Sequence, residues 1–294
     1  MSSTSLGLAR PFRSVLYIPG SKERALEKAQ SLPTDAIIFD LEDAVAIDEK
    51  PAARALLAHT LRGDDFGQRA RIVRINGFDT PWGRDDVTAI VDAIAGGARI
   101  DAILIPKVSR AADVDAVADA IPTVALWAMM ETALGMLNAA EIAAHPRLQG
   151  MVMGTNDLAK ELGSRFRPDR LAMQAGLGLC LLAARAHNRV IIDGVFNAFK
   201  DEAGLQFECE QGRDMGFDGK TLIHPAQLAI ANAAFAPSEA EITLARRQIT
   251  AFAEAEAQGL GVAVVDGKIV ENLHIVTAQQ TLAKAEAIAA METV

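Results

Sequence analysis

The chain has few cysteines: only Cys180 and Cys209 occur among its 294 residues, and neither belongs to a CxxC or other metal-ligand spacing. A disulfide-rich scaffold and a cysteine-ligated zinc site are therefore excluded. Both cysteines lie in segments with helical periodicity, so we expect two buried thiols in a reducing compartment.

Long apolar runs and an excess of positive charge are also lacking. No stretch reaches the roughly 20 apolar residues that a membrane span requires. The opening MSSTSLGLARPFRS has no apolar segment of the secretory type. The net charge of −9 and the pI of about 5.1 argue against a dedicated nucleic-acid surface and against binding to anionic membranes. We expect a soluble, cytoplasmic protein that binds neither nucleic acid nor membranes.

Several common catalytic motifs are missing from the sequence. No GxGxxG or GxxxxGK[ST] turn is present, which argues against a dinucleotide fold and a P-loop. No GxSxG elbow is present, and the five histidines form no HxxxH array, so a serine hydrolase is not indicated.

Short β-branched runs alternate with amphipathic stretches along most of the chain, which is the pattern of parallel βα units. Eight such units favour a closed (β/α)8 TIM barrel of the α/β class over an open doubly wound sheet. The predicted strands are residues 13–18, 36–40, 71–75, 102–106, 125–130, 150–154, 190–193 and 219–223.

The chain continues beyond the eighth strand for longer than a barrel requires. We predict a barrel over residues 1–235 and a C-terminal extension over residues 236–294, with a long helix from Ser238, a hairpin at Asp266-Gly267 and a last helix. Such an extension must bury its apolar face, so we expect it to act as a lid or a subunit contact.

Acidic residues follow two adjacent predicted strands: Glu131 comes after ALWAMM and Asp157 after GMVMGTN. The carboxyl ends of barrel strands carry the chemistry in this architecture. Two carboxylates there, with room for water and substrate oxygens, match the way Mg²⁺ is held, and the missing His and Cys ligands favour a hard cation. The alternative is a pair of salt bridges at the rim.

Arg74 lies in RIVRING with apolar residues before it, and a buried guanidinium needs a carboxylate partner. That partner is either a substrate carboxylate or an acid of DLEDAV. The three acids of that motif, Asp40, Glu42 and Asp43, repel one another unless a cation is near, so we predict that they bind metal waters and orient Arg74. The alternative is a solvated acidic turn.

A small basic cluster follows the first predicted strand, in PGSKERALEK. Lys22 and Lys28, near the start of a helix, could bind the phosphates of a nucleotide-like carrier. Considered alone, the motif is more typical of a solvated helix face.

Seven segments in chain order resemble the citrate lyase β-subunit-like proteins of the HpcH/HpaI aldolase family. They are LYIPGSKE, IIFDLEDAV, VRINGFDT, ILIPKV, METALGMLNAAEI, MGTNDLAKELG and GKTLIHPAQL. The resemblance covers nearly the whole chain and is closest to the malyl-CoA branch of the family. It implies a modified barrel that assembles as a homotrimer or homohexamer and uses Mg²⁺, with Mn²⁺ as an alternative, on an acid carried as a coenzyme A thioester.

The resemblance also implies roles for individual residues. Glu131 and Asp157 become metal ligands, and Arg74 binds the substrate carboxylate. The remaining substrate contacts are Asn156 on the acid and, on the coenzyme A side, Tyr17, Lys22 and Lys28. Lyases of the family have a catalytic aspartate in the C-terminal segment, where this chain has Glu271.

The activity that the resemblance implies is hydrolysis of (3S)-malyl-CoA to malate and coenzyme A. The extra methylene of Glu271 displaces its carboxylate by about 1.5 Å and weakens the case for carbon–carbon cleavage. Three alternatives remain: a malyl-CoA or citramalyl-CoA lyase, a pyruvate aldolase, and a citrate lyase β subunit.

Overall fold

The computed structural model of the protein describes residues 10–292. Eight parallel strands pair in chain order, and β8 pairs back with β1, so the sheet closes into a barrel. The strands are β1 (Ser14–Pro19), β2 (Ala36–Asp40), β3 (Ala70–Arg74), β4 (Ala102–Ile105), β5 (Ala125–Met130), β6 (Leu148–Met153), β7 (Val190–Asp193) and β8 (Gly219–Leu222).

Helices connect successive strands and cover the outside of the barrel. They are α1 (Glu23–Ala29), α2 (Lys50–Gly63), α3 (Gly83–Ala95), α4 (Ala111–Ala118), α5 (Ala133–Leu137), α6 (Ala139–Ala144), α7 (Thr155–Glu161), α8 (Gln174–Ala186), α9 (Glu202–Met215) and α10 (Leu228–Phe235). Short 3-10 turns lie at Ile47–Glu49 and Pro225–Gln227.

The period of two along each strand divides the buried residues into two layers. One layer fills the barrel and includes Ile38, Ile72 and Trp127. The alternate residues, such as Ile37 and Phe39, pack outward under the helices. Because both faces are buried, the strands are nearly continuous apolar runs, which made them visible in the sequence.

The predicted (β/α)8 barrel is confirmed, and every predicted strand overlaps an observed one with ends that differ by two residues or fewer. The largest difference is at β6, which begins at Leu148 because its pairing with β5 includes a register shift at Leu126/Trp127. β4 ends at Ile105, since the following Pro106 has no N–H to donate to a neighbouring strand.

Contacts divide the described chain into two compact units, residues 12–235 and residues 236–292, with residues 10 and 11 grouped with the second. The second unit contains α11 (Glu239–Ala257), the antiparallel strands β9 (Ala263–Val265) and β10 (Lys268–Val270), and α12 (Asn272–Glu292). Its core includes Phe252, Val265 and Val270. The lid or subunit-contact role of residues 236–294 stays a prediction.

Three local predictions are also met within residues 10–292. Ser238 caps α11 by accepting a hydrogen bond from the Glu241 N–H, and the hairpin turns at Asp266-Gly267. Both cysteines are buried free thiols. In this part of the chain, no helix combines the length and the apolar character that crossing a bilayer demands.

Gly150 provides a test of packing inside the barrel. A Cβ at this position would lie 2.4 Å from the Trp127 ring, which is buried on the neighbouring strand. We expect Gly150→Ala to lower the free energy of unfolding by roughly 1–3 kcal/mol through overpacking.

Gly178→Ala is the matched control: it lies within α8 with nothing within 4 Å of the added Cβ. It should stabilise the protein by about 0.5–1 kcal/mol. Urea unfolding followed by circular dichroism measures both, and equal effects would contradict the packing argument.

Candidate active site

A buried ion pair joins the carboxyl ends of β2 and β3. Arg74 and Asp40 are directly paired in the sheet register. The guanidinium donates through Nε to Oδ1 at 2.8 Å and through Nη2 to Oδ2 at 2.5 Å. Burial alone would lower the pKa of Arg74, but the charge and hydrogen bonds of Asp40, together with Tyr17 and Glu42, outweigh burial and raise that pKa well above its ordinary value. The sequence left open whether the partner of Arg74 is a substrate carboxylate or an acid of DLEDAV. In the structure, Asp40 of DLEDAV is such a partner.

Asp40 also organises the turn that follows it. Its oxygens accept hydrogen bonds from the backbone N–H groups of Glu42 and Ala44, at 2.8 and 3.1 Å. This arrangement directs Glu42 towards Arg74, where its Oε2 lies 2.8 Å from Nη1. The exposed Asp43 is more distant, at 3.5 Å from the same nitrogen. The three acids of DLEDAV thus surround one guanidinium, although their proposed role towards metal-bound water stays a prediction.

Glu131 is a buried carboxyl group whose pKa lies far from its ordinary range. It follows β5 and is only 2% exposed, and its Oε1 accepts a hydrogen bond from the backbone N–H of Lys107 at 2.8 Å. Burial, assisted by the negative charge of Glu42, raises the pKa of Glu131 to about 8. A charged Glu131 therefore needs additional positive charge in its surroundings.

Asp157 lies in the first turn of α7, half-buried, and its negative charge contributes to the raised pKa of Glu131. The end of β6 approaches Glu131 very closely at Gly154. A Cβ on Gly154 would lie 2.5 Å from Glu131 Oε2, so only glycine fits between the two carboxylate-bearing segments. Next to Asp157, Asn156 is exposed and exchanges side-chain hydrogen bonds with Asn197.

A cavity of about 300 Å³ brings most of the predicted site residues together. Its lining includes the two carboxylates Glu131 and Asp157, the Arg74 guanidinium and the Tyr17 ring. The other lining residues are Asp40, Asp43, Ala44, Met129, Met153, Gly154, Thr155, Asn156, Val195 and Ile223. The carboxyl ends of seven of the eight strands, all except β4, thus contribute to a single pocket that has both polar and apolar walls.

The donor set of this cavity fits a divalent cation. Two carboxylates face it, and a cation would supply the positive charge that a buried, ionised Glu131 needs. Among residues 10–292, no group of three or more His, Cys, Asp or Glu side chains could hold a metal. Water and substrate oxygens would complete the coordination, which is the usual arrangement for Mg²⁺.

Three predicted residues are not among those that line this cavity. Lys22 precedes α1, and its ammonium lies 3.8 Å from Glu49 at the surface. Lys28 is exposed in the last turn of the same helix. Glu271 belongs to the second unit, where its backbone N–H donates to Nδ1 of His274 just before α12. Their roles stay predictions.

Two lysines contribute to the site without having been assigned a role from the sequence. Lys107 has a positive φ of 52°, which aims its N–H at Glu131, and its ammonium binds Glu42. Lys50 is buried and donates to the carbonyl of Glu42 at 2.8 Å and to Oδ1 of Asn76 at 2.6 Å. The position of Lys107 at a strand end was a usable signal, whereas nothing in the sequence around Lys50 distinguished it from a surface lysine.

A family model described as HpcH/HpaI aldolase/citrate lyase matches residues 13–225, which span the barrel and the site. The chain belongs to this family. The resemblance seen in the sequence motifs is therefore confirmed.

Individual proteins related to this family are similar in sequence to nearly the whole chain. The protein is 78% identical over 282 residues to a (3S)-malyl-CoA thioesterase of Cereibacter sphaeroides, covering 96% of this chain and 97% of the relative. It is 36% identical to an L-malyl-CoA/beta-methylmalyl-CoA lyase of the same organism, with coverage of 96% and 97%. CitE of Mycobacterium tuberculosis, solved in complex with magnesium, acetoacetate and coenzyme A, has a TM-score of 0.78 and 32% identity, covering 96% of this chain and all of that one.

The raised pKa of Glu131 predicts how pH changes the stability of the metal-free protein. Between the ordinary value of 4.5 and about 8, the folded state binds more protons than the unfolded state, so stability falls as pH rises through this range. Glu131→Gln removes this titration. We expect similar melting temperatures for the two proteins near pH 5 and a higher one for the variant above pH 8. Between these pH values, the free energy of unfolding of the wild type should fall relative to that of the variant by up to about 1.4 kcal/mol per pH unit.

Calorimetry with and without Mg²⁺ measures both parts of this prediction. Mg²⁺ should raise the Tm of the wild type but not that of Glu131→Gln. Glu27→Gln, on the exposed face of α1, is the matched control and should behave as the wild type. Equal stabilisation of all three proteins by Mg²⁺ would place the cation elsewhere.

Proposed function

We propose that the protein hydrolyses (3S)-malyl-CoA to malate and coenzyme A in a Mg²⁺-dependent reaction. The observation that carries this proposal is the 78% identity to a (3S)-malyl-CoA thioesterase across almost the full length of both chains. The cavity is consistent with it, because it combines a pair of acids, a guanidinium and an apolar wall within one mouth of the barrel.

Glu131 and Asp157 would hold the cation. When bound, Mg²⁺ supplies Lewis-acid chemistry to the oxygens of an α-hydroxy or α-keto acid. Complexes of a family member with magnesium and acetoacetate or oxaloacetate support this assignment. The Lys107 N–H binds only Oε1 of Glu131, so Oε2 can serve as a ligand while the residue remains fixed in place.

Arg74 would bind the substrate carboxylate. A guanidinium has five N–H donors, and its contacts with Asp40 and Glu42 leave hydrogens on the terminal nitrogens for another acceptor. The surrounding acids hold the guanidinium rigidly, which reduces the entropy lost when substrate binds. Asn156, at the edge of the cavity, is positioned to donate to the same acid.

Lys22 and Lys28 would bind the phosphates of coenzyme A as point charges, since both are exposed and follow β1. Coenzyme A in complex with the family member from M. tuberculosis supports a coenzyme site in this architecture. The basic pair would act mainly on KM, because the phosphates lie far from the reacting carbonyl.

Glu271 would act as the general base that takes a proton from the attacking water. It would be supplied by a neighbouring copy in a trimer or hexamer, as the resemblance implies. Glutamate instead of aspartate moves the carboxylate by about one bond, roughly 1.5 Å. Because a shift of this size changes which atom a base can reach, it favours water over the substrate hydroxyl.

A two-product assay tests the proposed reaction against carbon–carbon cleavage, the activity named for the 36% identical lyase. We expect (3S)-malyl-CoA with Mg²⁺ to yield free thiol without glyoxylate. Removal of the metal with EDTA should abolish thiol release, and Asp157→Asn should do the same. Glyoxylate and acetyl-CoA without free thiol would show that the chain is a lyase.

A mixing experiment tests the role of Glu271. Glu131→Gln and Glu271→Gln should each be inactive alone, because one lacks a metal ligand and the other lacks the base. Mixed oligomers formed by co-expression should recover activity, to roughly a quarter of the wild-type value if neighbours in a ring combine at random. Mixed oligomers that remain inactive would argue against a base supplied by another copy.

A further inference from the structure

Tyr17 lines the cavity beside Arg74. It is the single tyrosine of the chain and comes from the barrel-facing side of β1. The Arg74 guanidinium lies over its ring, 5.1 Å from the centroid. The phenol thus shares one pocket with both the guanidinium and the two carboxylates.

The hydroxyl of Tyr17 has a poor acceptor. It donates to Sδ of Met129 at 3.5 Å, and a thioether accepts hydrogen bonds only weakly. Burial raises the pKa of this phenol well above its ordinary range, although Arg74 opposes the rise, so the group stays protonated. A protonated donor in a buried pocket favours any stronger acceptor that enters.

The other donors around the cavity have stronger partners than the thioether that the phenol contacts. Arg74 donates to Asp40 and pairs with Glu42, and the Asn156 amide donates to Asn197. The phenol is therefore a donor whose hydrogen bond can be exchanged for one to substrate at little cost.

We propose that the Tyr17 hydroxyl donates a hydrogen bond to the thioester carbonyl oxygen of the substrate and stabilises the oxyanion that forms there. This inference rests on the proposed hydrolysis. Water adds to the carbonyl carbon and loses its proton to the base, and the carbonyl π electrons move to oxygen. The C–S bond then breaks as the carbonyl re-forms, and the thiolate leaves and takes up a proton. Tyr17 keeps its own proton throughout.

The chemistry of the donor identifies the acceptor. The charged carboxylate of the substrate suits the Arg74 guanidinium. The oxygens of the α-hydroxy acid suit a cation held by Glu131 and Asp157. The thioester carbonyl is neutral in the ground state and gains charge only during the reaction. A neutral donor facing it contributes mainly in the transition state and so raises kcat.

Tyr17→Phe tests this role because it removes the hydroxyl and keeps the ring under Arg74. We expect kcat for thiol release to fall roughly 10²- to 10³-fold, the usual cost of losing one oxyanion donor. KM should stay within about threefold, because the contact strengthens mainly in the transition state. The Tm should change by less than roughly 2 °C, since a weak contact to a thioether is all that is lost. An unchanged kcat with a raised KM would overturn the proposal and place Tyr17 on the coenzyme side.

A second measurement uses the wild-type protein and does not depend on turnover. Biosynthetic [ζ-13C]tyrosine labels position 17 alone. With Mg²⁺ present, the ketone analogue of malyl-CoA, in which CH₂ replaces sulfur, should shift this resonance, whereas free coenzyme A should leave it in place. Equal shifts with both ligands would overturn the inference, and so would the absence of a shift at a saturating concentration of the ketone analogue. A wild type that binds the analogue with the expected shift but releases no thiol would contradict the proposed hydrolysis and leave the Tyr17 contact standing.

Discussion

Arg74 carries a full positive charge at the mouth of a barrel whose inner layer is largely apolar, and the carboxylate of Asp40 allows it to remain there. The two residues are directly paired across β2 and β3 and meet through two hydrogen bonds. Removing either partner would leave a buried charge without compensation, which costs several kcal/mol. The positions of Glu42 and of the Tyr17 ring both depend on this pair.

The opposite side of the cavity shows the reverse balance of charge. Glu131 is buried with one backbone N–H as its hydrogen-bond donor, and the nearby negative charges of Glu42 and Asp157 add to its energetic cost. Such a residue destabilises the metal-free barrel at neutral pH. In the proposed function, a cation bound there would convert this cost into affinity, which is the common exchange of stability for function.

Rigid elements hold both sides of the cavity in place, the side of Arg74 and the side of Glu131. Lys107 aims its backbone N–H at Glu131 through a positive φ that only tertiary contacts sustain, while its ammonium binds Glu42 on the other side. Lys50 fixes the DLEDAV turn from α2 through backbone carbonyls. These contacts connect the side of the cavity that contains Glu131 with the side that contains Arg74, so the site is organised before substrate arrives.

The sequence by itself determined the barrel and the family, because strands buried on both faces read as apolar runs and the motifs at their ends follow in a specific order. It also placed Glu131, Asp157 and Arg74 at strand ends, which in a parallel barrel face one mouth. Only the tertiary structure decided which acid neutralises Arg74, that Lys50 is buried, and that the Tyr17 hydroxyl faces a thioether. These are contacts between residues far apart in the chain, and their geometry depends on side-chain packing that local periodicity does not encode.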